Sequence, residues 1–227
     1  ACPAEHPIEA RIASVDDRLE VNLDDGRLLQ IAGLEPPRST PGAPGRPAAT
    51  RALLAEWLVG LPVAFRPLSA NPDRWGRLPV RMLADAPGAE PDAARLDVAV
   101  AVLDAGLARF RPAPLLGDCR AALLAAEARA RQDGLGLWAE PDHAIVSATD
   151  RAALSARAAT EIIVEGRVTR VGETRFRTYL NFGPIRGQDF AVTILKRNRA
   201  TFDKVGTPLH ALAGRSIRVR GLLETRF

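Results

Sequence analysis

Apolar and polar residues alternate along the start of the chain. Ile8, Arg11-Ile12, Leu19-Glu20-Val21-Asn22-Leu23 and Leu28-Leu29-Gln30-Ile31 have the period-two pattern that predicts strands. Asp24-Asp25-Gly26 predicts a hairpin turn, because Asp-Gly accepts the positive φ such turns need. Residues 36–49 hold five prolines and two glycines, too many for a regular element, so a loop is expected. Thr50 is the expected cap of a helix reaching about Val59, with Leu53, Leu54, Trp57 and Leu58 on one face. Val63–Phe65 and Leu78–Leu83 read as strands on either side of the turn Asn71-Pro72-Asp73, and residues 85–94 as a loop. Two helices follow: Asp97 to Ala105, stopped by Gly106, and Asp118 to Gln132, stopped near Gly134. The second spaces Ala121, Leu124 and Ala128 helically and sets Glu127 four residues before Arg131, close enough to pair across one turn.

Beyond Glu140 the period changes. Residues 141–160 read as a linker with a short helix from Asp150 to Ala158. Ile162–Val171, Thr178–Phe182, Phe190–Leu195 and Ile217–Leu223 read as strands punctuated by glycine, a pattern that suits a small barrel of the OB type over 161–227. Within it, Arg175-Phe176-Arg177-Thr178-Tyr179-Leu180-Asn181-Phe182 interleaves basic and aromatic side chains. Exposed aromatics that stack on bases and arginines that hold phosphates are what single-strand binding requires. Ordinary strand alternation instead puts Phe176 and Leu180 inside and the arginines outside, and parity alone assigns neither Tyr179 nor Phe182 to a face.

Charge sharpens the division. Residues 1–144 carry 16 Arg against 20 Asp and Glu, whereas residues 145–227 carry 13 Arg and 2 Lys against 7 acidic residues. A basic second unit suits an anionic partner, or simply a solvated face. Arginine outnumbers lysine so heavily that base composition explains part of the excess. No apolar run approaches the ~18 residues of a membrane span. The sequence starts at Ala1 rather than at a methionine, which fits removal of a signal peptide or a natural start further upstream. Cys2 and Cys119 are the only cysteines; they permit one disulfide in an exported protein, or two separate thiols with one buried on a helix. His6, His143 and His210 have no ligand spacing.

The order of motifs in the first part is more specific. Gly33-Leu34-Glu35-Pro36-Pro37, Asp73-Arg74-Trp75-Gly76-Arg77, Gly106-Leu107-Ala108 and the stretch from Glu127 to Trp138 follow one another behind the Asp-Gly hairpin. Over residues 7–140 this set resembles the staphylococcal nuclease (thermonuclease) family. The resemblance implies an α+β fold: an OB-type β-barrel with three helices, here followed by a second small OB-like β domain. It also implies calcium-dependent cleavage of nucleic acid. Carboxylates would hold the ion, a glutamate would assist water, and two arginines would stabilise phosphate charge.

Carried over residue by residue, most of that chemistry is missing. The family's metal-binding Asp-Gly-Asp-Thr falls on Asp17-Arg18-Leu19-Glu20, so Leu19 stands where a ligand is needed. Gln30 stands at the first arginine, Glu35 at a metal aspartate, and Arg38 at the glutamate. Arg77 is retained, Trp75 replaces a tyrosine, and Pro112 and Pro114 stand at nucleotide-holding tyrosines. The expectation is a vestigial site at Asp17, Leu19, Gln30, Glu35, Arg38 and Arg77. Asp17 and Glu35 are weak metal candidates, and no cofactor is expected beyond calcium for any residual activity. The leading expectation is a non-catalytic binding or scaffold protein of the bacterial cell envelope, periplasmic or secreted, meeting a protein or anionic polymer. Two alternatives are a divergent calcium nuclease using Arg77, Glu35 and Asp17, and a non-cleaving single-stranded nucleic-acid binder. Possible binding residues are Arg74, Trp75, Arg175, Arg177, Tyr179 and Phe182.

Overall fold

The computed structural model describes residues 7–225, apart from 89, 91, 92, 118, 186, 205 and 207. The chain divides into two compact units, Ala1–Asp142 and His143–Phe227.

The first unit contains β1 (Ile8–Val15), β2 (Glu20–Leu23), β3 (Leu28–Ile31), β4 (Leu34–Glu35), α1 (Arg46–Leu58), β5 (Pro62–Pro67), β6 (Arg77–Ala84), β7 (Leu96–Asp97), α2 (Val98–Asp104), β8 (Arg109–Phe110) and α3 (Cys119–Gln132). Five strands form the order β3-β2-β1-β5-β6, and a parallel pairing of β3 with β6 closes them into a barrel. The other pairings in this barrel are antiparallel. Alternate positions point inward, among them Ile12, Val21, Leu29, Val63, Phe65, Val80 and Met82, all buried. Each contributes about 1.5–3 kcal/mol through its removal from water. This closed barrel with helices is compatible with the OB-type architecture implied by the motifs.

The helices differ from expectation in instructive ways. α1 starts at Arg46, four residues before Thr50, with Pro47 in its first turn. Proline is tolerated there because the first-turn N–H groups lack helical partners anyway. Thr50 is therefore not a cap but a buried helical residue. α2 is capped as expected: the Asp97 carboxylate accepts the Val100 N–H at 3.1 Å. In α3 the buried residues are Leu123, Ala126, Glu127 and Ala130, not Ala121, Leu124 and Ala128. A charged residue on the inner face hid the true phase, for Glu127 is buried and accepts the Phe110 N–H at 2.7 Å. Asp118, the expected cap of this helix, lies outside the described residues.

Two glycines explain why the motifs around Gly106 and Gly136 occur together. Both have positive φ, +68° and +54°. A Cβ on Gly106 would lie 2.2 Å from the Leu135 carbonyl oxygen, and one on Gly136 would lie 2.3 Å from the Gly106 oxygen. Backbone therefore packs on backbone, sealed by Leu137 N–H donating to Gly106 O at 2.9 Å.

The second unit contains β9 (Val146–Ser147), α4 (Arg151–Ala156), β10 (Glu161–Arg167), β11 (Arg170–Glu173), β12 (Arg177–Asn181), β13 (Ala191–Leu195), α5 (Arg199–Lys204) and β14 (Ser216–Leu222). Residues from 143 onward, expected as linker, are an integral part of it. Asp150 caps α4 by accepting the Ala153 N–H, β9 pairs in parallel with β10, and Leu154 joins the core. The single strand expected over Ile162–Val171 is two, β10 and β11. Two three-stranded sheets, β14-β10-β9 and β11-β12-β13, share a core that includes Val146, Ile162, Val164, Leu180, Phe182 and Ile194. Among the described residues no strand pairing joins these sheets into a closed barrel.

Candidate functional site

The turn before β6 is built by Asp73. Its Oδ1 accepts the N–H groups of Trp75 and Arg77 at 2.9 and 3.0 Å. Gly76, at φ +79°, lets the chain reverse. This turn brings the Arg77 guanidinium back onto the carboxylate that shaped it. Nε and Nη2 of Arg77 donate to Asp73 Oδ2 at 2.9 and 2.7 Å, and Nη1 donates to Glu20 Oε1 at 2.8 Å. Glu20 is buried, with only 6% of its surface exposed. The guanidinium also lies 4.6 Å from the Trp75 ring, whose centroid is 3.9 Å from Arg74. Arg77 thus faces two carboxylates and an aromatic ring. Its hydrogen bonds hold the Asp73 carboxyl below the usual range, and Asp73, then Glu20, make the guanidinium still more basic.

Of the other positions carried over from the family, Leu19, Asp17 and Glu35 are also engaged elsewhere. Leu19 has φ +58° and is 3% exposed, its side chain in the barrel core. Asp16 holds this turn: its carbonyl accepts the Leu19 N–H and its Oδ1 accepts the N–H groups of Arg18 and Glu20. Asp17 is exposed and pairs with Arg51 at 3.1 Å. Glu35 Oε1 accepts from Arg109 Nη2 at 2.8 Å and lies 3.8 Å from the exposed Arg38. Gln30 and Arg77 share a cleft of about 210 Å3 with Pro79, Arg111, Pro112 and Leu115. The structure therefore brings together Gln30 and Arg77, the two positions that the resemblance assigns to arginines, in a cleft also lined by proline and leucine.

Calcium takes six to eight oxygen ligands. Leu19 is a buried hydrocarbon, Glu35 is held by Arg109, and Asp17 is held by Arg51, so these residues do not fit such an ion. Among the described residues no three of His, Cys, Asp or Glu converge as ligands. Cys119 opens α3, half-buried against the core. Cys2, its expected partner, lies outside the described residues.

In the second unit the register settles the faces. Thr178 and Leu180 point inward; Arg177, Tyr179 and Asn181 point to the opposite face. Phe182, expected as a possible binding residue, is 4% exposed and packs on Phe190 with ring centroids 5.2 Å apart, so it is core. Phe176, which strand alternation puts inside, is instead 67% exposed, with the Arg175 guanidinium 5.2 Å from its ring. It lies in the bend just before β12, outside the strand alternation, where its carbonyl accepts the Lys196 N–H at 2.9 Å.

Sequence reasoning missed Glu20, Asp73 and Arg109 as partners. The i,i+4 spacing of Asp73 and Arg77 was a usable signal. The Glu20–Arg77 and Glu35–Arg109 pairs span 57 and 74 positions and have no local signature. No protein-family model matches the chain, and no curated protein matches it.

Proposed function

We propose that the chain is a non-catalytic binding protein whose first unit is a staphylococcal-nuclease-like barrel with a lost active site. One observation carries this reading: Arg77, the retained phosphate arginine, donates to both Glu20 and Asp73. A phosphate entering here would meet a guanidinium already neutralised by two carboxylates, and would have to displace one of them. Losing a single charge-stabilising donor costs about 2.7–4 kcal/mol of barrier. In this site Gln30 offers no charge, Arg77 is occupied, and Arg38 replaces the carboxylate needed to assist water. The alternative nuclease reading needs Asp17 and Glu35 as ligands, and both are held by arginines.

Calcium titration by calorimetry tests the loss of the metal site. The expected result is no saturable heat. A one-to-one isotherm abolished by Glu35→Gln would contradict the reading.

A further inference from the structure

One face of the β11–β12–β13 sheet is turned away from the buried Thr178 and Leu180 and is basic and part-exposed. On β12 it presents Arg177, Tyr179 and Asn181; on β11, Arg170 stands opposite Asn181 and Gly172 opposite Tyr179; on β13, Thr193 stands opposite Tyr179. Neighbours two apart on a strand are separated by about 6.6 Å, and diagonal neighbours by about 7–8 Å. Tyr179 is therefore flanked by Arg177 along its own strand and by Arg170 on the diagonal. On its two sides stand the small residues Gly172 and Thr193, and the ring is half-buried.

No described position on this face is acidic. Glu173, the one acid on these strands, points to the other face and pairs with Arg199 at 2.8 Å. Among the described residues neither Arg170 nor Arg177 has an ion-pair partner, in contrast to Arg151, Arg199 and Arg218. In the bend just before β12, Phe176 is exposed and its ring carries Arg175.

We infer that this face binds single-stranded nucleic acid without cleaving it, phosphates lying on Arg170 and Arg177 and a base stacking on Tyr179. The inference builds on the reading of the chain as a binding protein and names its partner. Unpaired cations alone would suit any polyanion. A half-buried Tyr179 between small neighbours, with the exposed Phe176 nearby, favours a polyanion that offers flat faces of its own. A duplex hides those faces within its stack.

The test uses the full chain and a fluorescein-labelled oligothymidylate, followed by anisotropy from low to moderate salt. Binding is expected at low salt, with log affinity falling linearly in log salt. Tyr179→Ala should weaken it on the order of tenfold, while Tyr179→Phe, which keeps the ring, should bind as the parent does. Arg170→Ala and Arg177→Ala should each lower the salt slope by about 0.7. Absence of binding at low salt would overturn the inference. So would equal affinity for a duplex or for polyglutamate, or indifference to Tyr179→Ala. A gel of the probe after incubation with calcium keeps the two readings apart. Cleavage there counts against the inert first unit and leaves the binding face to be judged by the Tyr179 variants.

Discussion

At the residue scale, the decisive feature is how Arg77, Glu20 and Asp73 satisfy one another. Arg77→Ala should destabilise the protein, because it leaves the buried Glu20 carboxylate without its guanidinium. We expect a loss on the order of 2 kcal/mol in urea unfolding, below the ~3–5 kcal/mol of a fully buried pair because solvent reaches this one. An unchanged midpoint would contradict the network. The pH dependence follows from Asp73. Its carboxyl is held below the ordinary 3.8 chiefly by Arg77, so the pair stabilises the fold above that value and the contribution fades as pH falls below it. Unfolding profiles of parent and Arg77→Ala should therefore converge on acidification below about pH 4. Leu19 belongs to the same account: buried at positive φ, it serves the core and not a metal. The cysteines have a simple test. A bonded Cys2 and Cys119 predict unchanged mass on alkylation without reductant, and two added groups would disprove the bond.

At the scale of elements, strand positions were legible because alternation with one inward face is a strong, local signal, as β2, β3 and β6 illustrate. Helix details were less so. The start of α1 was hidden by a proline run that the first helical turn tolerates, and the phase of α3 by a buried glutamate that counts as polar in any pattern. Their common cause is that a long-range contact, such as Glu127 to Phe110 N–H, overrides the local rule. The glycines were readable as stops but not as contacts. Gly106→Ala should cost about 2 kcal/mol or more, since positive φ and a 2.2 Å approach to the Leu135 oxygen penalise the same atom. Thermal unfolding reads this directly, and a melting point equal to the parent's would contradict the backbone-on-backbone packing of α2 against the turn after α3.

At the scale of the whole molecule, the change in charge near residue 144 anticipated the division into two units, which falls after Asp142. What the sequence hid was that residues 143–160 build part of the second unit, because β9 is only two residues long and its parallel pairing with β10 leaves no pattern. The proposed loss of the site rests on residue types alone: Leu19, Gln30 and Arg38 stand where the family resemblance implies an acid, a base and an acid. The pairing of Glu20 with Arg77 and of Arg109 with Glu35 was not legible in the sequence, because these partners lie 57 and 74 positions apart. Both lines lead to the central claim that this barrel does not cleave nucleic acid. The most direct test incubates the intact protein with single-stranded DNA and calcium and follows the fragments. The account predicts that the DNA stays whole. Cleavage that chelator abolishes, and that disappears in both Arg77→Ala and Glu35→Gln, would contradict it.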